Sequence, residues 1–192
     1  MAQPEYIIVG LGNPGREFAG TRHNFGFELI DRLAVRLQSQ GLRLQSNALV
    51  TLARQAEHSV LLAKPQTYMN LSGKSVLGLA RFYKVPIENI LVAHDDLDLP
   101  FGTLRLRPGG GPGGQKGVKS TIEMLGSQGF SRLRLGIGRP SGQTDPSAYV
   151  LQRFSRVEQA EAANVLDRAA DAALAFVVDG IQAAMNRFNG SA

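Results

Sequence analysis

Residues 6–15, YIIVGLGNPG, place a glycine-rich turn directly behind a short apolar run. The run is β-branched and ends at glycine, which predicts a buried strand over residues 5–10. The spacing of the glycines in residues 10–15 also matches G-x-G-x-x-G, the phosphate-binding turn of dinucleotide-binding folds. The chain that follows decides between a cofactor loop and a structural turn.

A dinucleotide-binding loop requires a helix that begins within the glycines, so that its N-terminus meets the pyrophosphate. Here Pro14 removes one backbone donor, and the nine residues REFAGTRHN separate the glycines from the next helical pattern. The acid expected about 20 residues later is Asp31, which falls inside that helix. We therefore interpret the glycines as a tight turn at a strand end.

Strands and helices alternate along the rest of the chain. Helical spacing is present from Asn24 to Gly41, over 73–83 and 117–126, and from about Val157 to Phe188 with a split near Gly180; strands are predicted at 47–54, 58–63, from Asn89, at 103–107 and at 132–138, and a polar loop at 139–148. This alternation predicts an α/β fold: a single three-layer domain over residues 1–192, with a mixed, mostly parallel sheet flanked by helices and a C-terminal helical segment. Sites in such folds gather where strands end.

Composition narrows the class of protein. The 192 residues are 43% hydrophobic and 19% charged, and they include no cysteine, which excludes disulfides and thiol nucleophiles. No apolar run approaches the roughly 20 residues of a membrane helix, and no secretory leader is visible. We expect a cytoplasmic monomer with no membrane partner.

Positive charge is concentrated in one part of the sequence. The chain has 21 Lys and Arg against 16 acids, a net charge of +5. Between Phe101 and Pro140 the only acid is Glu123, and the cations are Arg105, Arg107, Lys116, Lys119, Arg132, Arg134 and Arg139. Such a local excess is the electrostatic footprint expected for a nucleic-acid partner.

Two other motifs resemble a phosphate-binding loop and a metal site. SGKS at 72–75 matches the end of a Walker phosphate loop, but the first glycine of that motif would fall on Tyr68. HDDLD at 94–98 offers four oxygen or nitrogen ligands for a hard metal. Strand-end carboxylates more often cap turns or orient neighbours, so we predict no metal and no cofactor.

His23 is the strongest candidate for proton transfer. It lies in a polar loop just before a helix, whereas the other two histidines are interpreted as a surface residue and a structural residue (His58 and His94). A histidine exchanges protons near neutral pH, and a carboxylate such as Asp95 would orient it. With amides such as Asn13 and Asn70 to hold a carbonyl, the set indicates general-base activation of water.

Four segments resemble the signature blocks of bacterial-type peptidyl-tRNA hydrolase, in that family's order and spacing. They are VGLGNPGREFAGTRHNFGF (9–27), KPQTYMNLSGKSV (64–76), VAHDDLDLPFGTLRLRPGGGPGG (92–114) and RLRLGIGRP (132–140). The resemblance extends to about Phe188 and implies a single α/β domain with a mixed sheet. It also implies hydrolysis of the ester that joins a peptide, or an N-blocked aminoacyl group, to the 3′-terminal ribose of tRNA.

The resemblance assigns roles to individual positions. It makes His23 the base and Asp95 the acid that holds it. It implies that the substrate is gripped by Asn13 and Asn70 and meets Phe18, Tyr68 and Met69. Arg107 and Arg134 correspond to tRNA backbone contacts, and the local charge adds Arg105 and Lys119 to that group.

The chain departs from the family pattern after its glycines. Many members read Gly-His-Asn-Gly, where this chain has Gly114-Gln115-Lys116-Gly117. Lys116 can donate to a substrate carbonyl or phosphate but cannot accept a hydrogen bond. A non-catalytic RNA-binding protein, like the chloroplast branch of the family that works in intron splicing, is therefore the alternative function.

Overall fold

The computed structural model describes residues 3–39 and 41–190. Within them, seven strands form one sheet: β1 (Tyr6–Gly10), β2 (Arg43–Gln45), β3 (Ala48–Gln55), β4 (His58–Pro65), β5 (Ile90–Asp96), β6 (Leu104–Arg107) and β7 (Ser131–Gly136). The α-helices are α1 (Phe25–Arg36), α2 (Ser72–Tyr83), α3 (Lys116–Leu125), α4 (Pro146–Val150) and α5 (Gln159–Phe188). Single 3-10 turns lie at Arg16–Phe18, Arg22–Asn24, Met69–Leu71 and Ile87–Asn89.

The sheet is mixed, with the strand order β2-β3-β4-β1-β5-β7-β6. Its centre is parallel, because β1 pairs with β4 and β5, and β5 pairs with β7, in the same direction. The flanks are antiparallel: short turns join β2 to β3 and β3 to β4, and a longer segment that contains α3 joins β6 to β7. The parallel pairing predicted from the sequence is thus confined to the four central strands, and the short edge strand β2 was not predicted.

Helices cover both faces of the sheet and make three layers. Ile8 of β1 belongs to the core shared with α1 and α5, whereas Ile7 and Val9 belong to the core shared with α2 and α3. All three residues are fully buried. Burial on both faces explains why β1 reads as a continuous apolar run rather than an alternating one, and the predicted α/β fold is confirmed.

Glycines in the opening stretch allow α1 to pack closely against the end of β1. A Cβ atom at Gly10 would lie 2.0 Å from the carbonyl oxygen of Gly26, and one at Gly26 would lie 2.5 Å from the backbone nitrogen of Leu11. Real side chains do not tolerate such distances, so both positions require glycine. This close packing brings the turn that precedes α1 to the carboxyl end of β1.

The predicted loop over 139–148 is wrong at its end, because α4 begins at Pro146. Asp145 caps this helix, accepting a hydrogen bond from the backbone of Ala148 at 3.2 Å, and proline occupies the first helical position. Both are helix-start signals. The first predicted helix also ends early, at Arg36 rather than just before Gly41. Two residues after Arg36, Gln38 adopts a positive φ of 49°, which is not helical.

The predicted C-terminal helical segment is confirmed as α5. Its expected split is a kink at Gly180, whose φ of 83° and ψ of 169° are not helical. Although α5 has 30 residues, none of the helices within 3–39 and 41–190 is long and apolar enough to cross a membrane.

Candidate active site

An open cleft of about 720 Å³ lies at the carboxyl ends of the central strands. It collects six of the residues singled out in the sequence: Asn13, His23, Tyr68, Met69, Asn70 and Asp95, and it reaches Lys116 at the start of α3. The loop after β1, the turn at 22–24, the turn at 69–71 and the end of β5 supply them. The strand ends therefore converge as expected for a parallel sheet centre.

His23 and Asp95 form a hydrogen-bonded pair on the floor of this cleft. Nδ1 of His23 lies 2.9 Å from Oδ2 of Asp95, and the exposed fractions of the two side chains are 14% and 3%. Because a carboxylate can only accept, Nδ1 carries the proton of this hydrogen bond, and in the neutral imidazole the lone pair is therefore on Nε2. The imidazole is therefore oriented as a base with its free nitrogen available to the cleft.

Gln115 holds the other oxygen of Asp95 and caps α3 at the same time. Its Nε2 donates to Oδ1 of Asp95 at 3.1 Å, and its Oε1 accepts from the backbone of Gly117 and Val118 at 2.5 and 3.0 Å. These partners fix which end of the amide is oxygen. Sequence reasoning treated Gln115 only as a departure from a pattern. Its position directly before a helical segment was the available signal.

Asn13 is held by two neighbours in the cleft wall. Its backbone N–H donates to Oδ1 of Asn24 at 2.8 Å, and its carbonyl accepts from Nδ2 of Asn24 at 2.9 Å. Its side-chain Oδ1 accepts from the backbone of Met69 at 2.7 Å. The amide oxygen is thus engaged, and Nδ2 is the end of Asn13 that can donate to a substrate. Asn24 occupies the N-cap position of α1, but its side chain holds this loop and makes no capping hydrogen bond.

Four other predicted substrate contacts line the cleft and one does not. Tyr68 and Asn70 are exposed at the rim, Met69 is buried, and Lys116 is exposed at the first residue of α3. Phe18 is half-buried in the turn Arg16–Phe18 and is not among the lining residues. Further lining residues were not predicted as part of the site: Leu97, Asp98, Arg139, Pro146, Ser147, Val150 and Leu151.

Arg22, next to His23, ties the turn to the chain that follows α4. Its guanidinium donates from Nη2 to both carboxylate oxygens of Glu158 at 2.9 and 2.8 Å, and from Nη1 to the carbonyl of Arg153 at 2.8 Å. It also lies 4.3 Å from the ring centroid of Tyr149. Although burial raises the pKa of Glu158, hydrogen bonds from Ser155 and Arg22 hold it below its ordinary value.

The HDDLD segment is engaged by protein partners. Asp95 accepts from His23 and Gln115, Asp96 pairs with Arg134 at 2.6 Å, and Asp98 pairs with Arg139. His94 is buried, donates from Nδ1 to the carbonyl of Asp95 at 2.8 Å, and has its pKa lowered by that burial. Across the described residues, no group of three His, Asp or Glu side chains is placed to hold a metal ion.

The predicted tRNA contacts lie outside the cleft, on and beside the edge formed by β6 and β7. Arg105 and Arg107 are exposed, and Lys119 is 67% exposed with Glu123 3.8 Å away. Arg134 differs, because it is half-buried and its charge is compensated by Asp96. We define Arg105, Arg107, Arg132 and Arg134 as the basic edge.

Comparison with known proteins identifies the family to which this chain belongs. The family model described as peptidyl-tRNA hydrolase matches residues 7–192. The chain belongs to the peptidyl-tRNA hydrolase family. A relative from Mycobacterium tuberculosis named peptidyl-tRNA hydrolase is 48% identical over 188 residues, which cover 97% of this chain and 98% of the relative. One from Mycobacterium ulcerans matches to the same extent.

Solved structures of the peptidyl-tRNA hydrolase family share this architecture. A crystal structure of peptidyl-tRNA hydrolase from Acinetobacter baumannii has a TM-score of 0.90 and 36% identity, and the match covers 100% of this chain and 98% of that one. The expected family, and the three-layer fold that it implies, are therefore confirmed.

Proposed function

We propose that this chain hydrolyses the ester between a peptide, or an N-blocked aminoacyl group, and the 3′-terminal ribose of tRNA. Membership of the peptidyl-tRNA hydrolase family over nearly the whole chain supports this activity. The observation that carries the chemistry is the His23–Asp95 pair at 2.9 Å in an open cleft that also contains Asn13. A histidine base oriented by a carboxylate is equipped to activate water.

In the proposed reaction, Nε2 of His23 takes a proton from a water molecule as its oxygen attacks the ester carbonyl. The imidazolium that forms is stabilised by Asp95. When the tetrahedral intermediate collapses, the bond between the acyl carbon and the 3′ oxygen breaks. The proton passes from His23 to the departing ribose oxygen, which yields a free carboxylic acid and tRNA with a 3′ hydroxyl.

Amides of the cleft would orient the substrate. Nδ2 of Asn13 is positioned to donate to a carbonyl next to the ester, because Oδ1 is occupied by the backbone of Met69. Asn70 and Tyr68 at the rim would contact the blocked amine and the peptide. Lys116 replaces the family's usual amide with an ammonium group, and we propose that it donates to a substrate carbonyl or phosphate.

The tRNA would be bound through its phosphates rather than its bases. Arg105, Arg107, Lys119 and Arg134 are the proposed contacts, and phosphate recognition suits an enzyme that must accept many tRNAs. We also propose that the enzyme works in the cytoplasm and that it is a monomer. Sedimentation of the purified protein would test the oligomeric state.

The proposal is tested by adding purified protein to N-acetyl-aminoacyl-tRNA and measuring release of the N-acetyl amino acid, with and without a chelator. We expect release in both conditions, because the carboxylates at 95, 96 and 98 are engaged by protein partners. Binding of tRNA without release would contradict the proposal and favour a non-catalytic RNA-binding protein.

A further inference from the structure

Arg132 on β7 is the buried arginine of the basic edge. The residue is 2% exposed, and none of its three guanidinium nitrogens has a hydrogen-bond partner among residues 3–39 and 41–190. The guanidinium lies over the ring of Phe130, with 4.2 Å between the guanidinium carbon and the ring centroid. Burial lowers the pKa of Arg132 to about 10, so the group remains protonated at neutral pH.

An unpaired charge in this position opposes folding. Buried polar groups in native proteins are nearly always hydrogen-bonded, and a buried charge without a partner is more costly still. Arg22 shows what this chain does with a buried arginine that serves the fold: it supplies a carboxylate, a carbonyl and an aromatic ring. In the part of the chain that the structure describes, Arg132 has the ring of Phe130 but no hydrogen-bond partner, which indicates that this partner comes from outside the chain.

The register of the sheet surrounds Arg132 with further positive charge. Arg107 lies directly opposite it on β6, and Arg105 lies opposite Arg134 in the next pair but one. Since the intervening leucines pack into the core with α5, all four arginines project from the other face of the sheet. Of the four, Arg134 is the one paired with an acid, Asp96.

The chain that covers Arg132 is thin and rich in glycine. A Cβ atom at Gly110 would be 3.8 Å from Nη1 of Arg132, and Gly110 is itself exposed, so this glycine lies between the guanidinium and solvent. Gly110 adopts a φ of 124° and is held to the carbonyl of Gln128 by a hydrogen bond of 3.3 Å. A Cβ at Gly111 would meet nothing within 4 Å. A small shift of residues 109–111 would therefore expose the guanidinium.

We propose that Arg132, together with Arg107 opposite it, binds a phosphodiester group of the tRNA beneath residues 109–111. The proposal rests on tRNA being the substrate. A phosphate fits better than a carboxylate, because four arginines with one acid among them match a polyanion, and the planar guanidinium fork pairs with two phosphate oxygens. The buried charge is then satisfied only in the complex.

The test compares Arg132→Met with Arg22→Met, two replacements of a buried arginine by a side chain of similar length. For Arg132→Met we expect an unchanged or higher Tm, since a thioether packs well on Phe130 and no charge stays buried. We expect its affinity for deacylated tRNA to fall about tenfold, and the slope of log affinity against log salt to decrease by about 1. For Arg22→Met we expect a clear fall in Tm. Arg132→Lys, which keeps the charge but loses the fork, should bind tRNA with intermediate affinity.

A lower Tm for Arg132→Met with unchanged tRNA affinity in both variants of Arg132 would overturn the proposal and make this residue structural. Stabilisation of the wild type by inorganic phosphate, with tRNA affinity equal in wild type and Arg132→Met, would also overturn it, since the site would then take a free anion. Binding is measured on deacylated tRNA, so these outcomes are independent of whether the wild type cleaves N-acetyl-aminoacyl-tRNA.

Discussion

The cleft and the basic edge treat their polar groups in opposite ways. In the cleft, three of the side chains are held by neighbours: Asp95 accepts from His23 and Gln115, and Oδ1 of Asn13 accepts from the backbone of Met69. On the basic edge, Arg132 has no hydrogen-bond partner in the described chain. A reaction centre gains from groups fixed before the substrate arrives. A surface for a polyanion gains from charges that the protein itself leaves uncompensated.

The largest effect should follow from removing His23, the proposed base, and it should affect only the cleft. We expect His23→Ala to lower the rate of ester cleavage by about 10²–10⁴-fold, the usual contribution of a positioned proton-transfer group. Binding of deacylated tRNA, measured by filter retention or fluorescence, should stay near the wild-type value. Weaker tRNA binding in this variant would show that the two regions are not separable.

A second prediction concerns the residue that joins the cleft to the chain after α4. Arg22→Met leaves the Glu158 carboxylate without its buried partner, so we expect the free energy of unfolding to fall by about 3–5 kcal/mol. Denaturant titration measures this change, and the exposed pair Arg187–Asp179, 3.0 Å apart, provides the control. Arg187→Met should cost less than about 1 kcal/mol. Equal losses in the two variants would refute the structural role of Arg22.

Gln115 allows the fixed geometry of the cleft to be tested with a matched pair of variants. Gln115→Leu removes the cap of α3 and leaves Oδ1 of Asp95 unpaired, so we expect about 1–3 kcal/mol of lost stability and a lower kcat. Gln115→Glu keeps an oxygen that can cap the helix but places a second carboxyl group beside Asp95. We expect this variant to have a lower kcat, while its free energy of unfolding falls less than that of Gln115→Leu. If neither variant changed kcat, Gln115 would have no part in orienting Asp95.

The smallest effect should come from a single exposed arginine of the basic edge. Arg107→Ala should weaken tRNA binding at low salt and reduce the salt slope by about 1, with kcat at saturating tRNA less affected than the affinity. Arg36→Ala is the matched control, because Arg36 pairs with Asp167 and Asp171 on the helical face away from the edge. The same salt slope in the wild type, Arg107→Ala and Arg36→Ala would show that Arg107 does not contact the tRNA.

Sequence reasoning reached the parts of the molecule that local pattern encodes. The apolar run before Gly10 predicted β1, and the helical spacing after Asn24 predicted α1. The expectation that sites gather where strands end placed Asn13 and Asp95 together, and both line the cleft. The glycine spacing marked the start of the loop that places Asn13 in the cleft. A dinucleotide-binding loop was excluded because the helix does not begin within the glycines. The structure shows that Gly10 is needed for close packing against α1.

The interactions that sequence reasoning missed are those that depend on side chains meeting across the fold. Asn24 fits a helix cap by pattern, yet its amide turns to Asn13, eleven residues earlier. Gln115 reaches Asp95, which no local rule predicts. Arg132 and Arg134 look alike in RLRLGIG, and only the structure distinguishes the unpartnered arginine from the ion-paired one.

The central claim is that water, activated by His23, attacks the acyl carbon of the ester. A single turnover of N-acetyl-aminoacyl-tRNA in ¹⁸O-labelled water, followed by mass spectrometry of both products, tests it most directly. The account predicts one ¹⁸O atom in the carboxyl group of the released N-acetyl amino acid and none in the 3′ hydroxyl of the tRNA. Label in the tRNA, or no release of the acid by the wild-type protein, would contradict it.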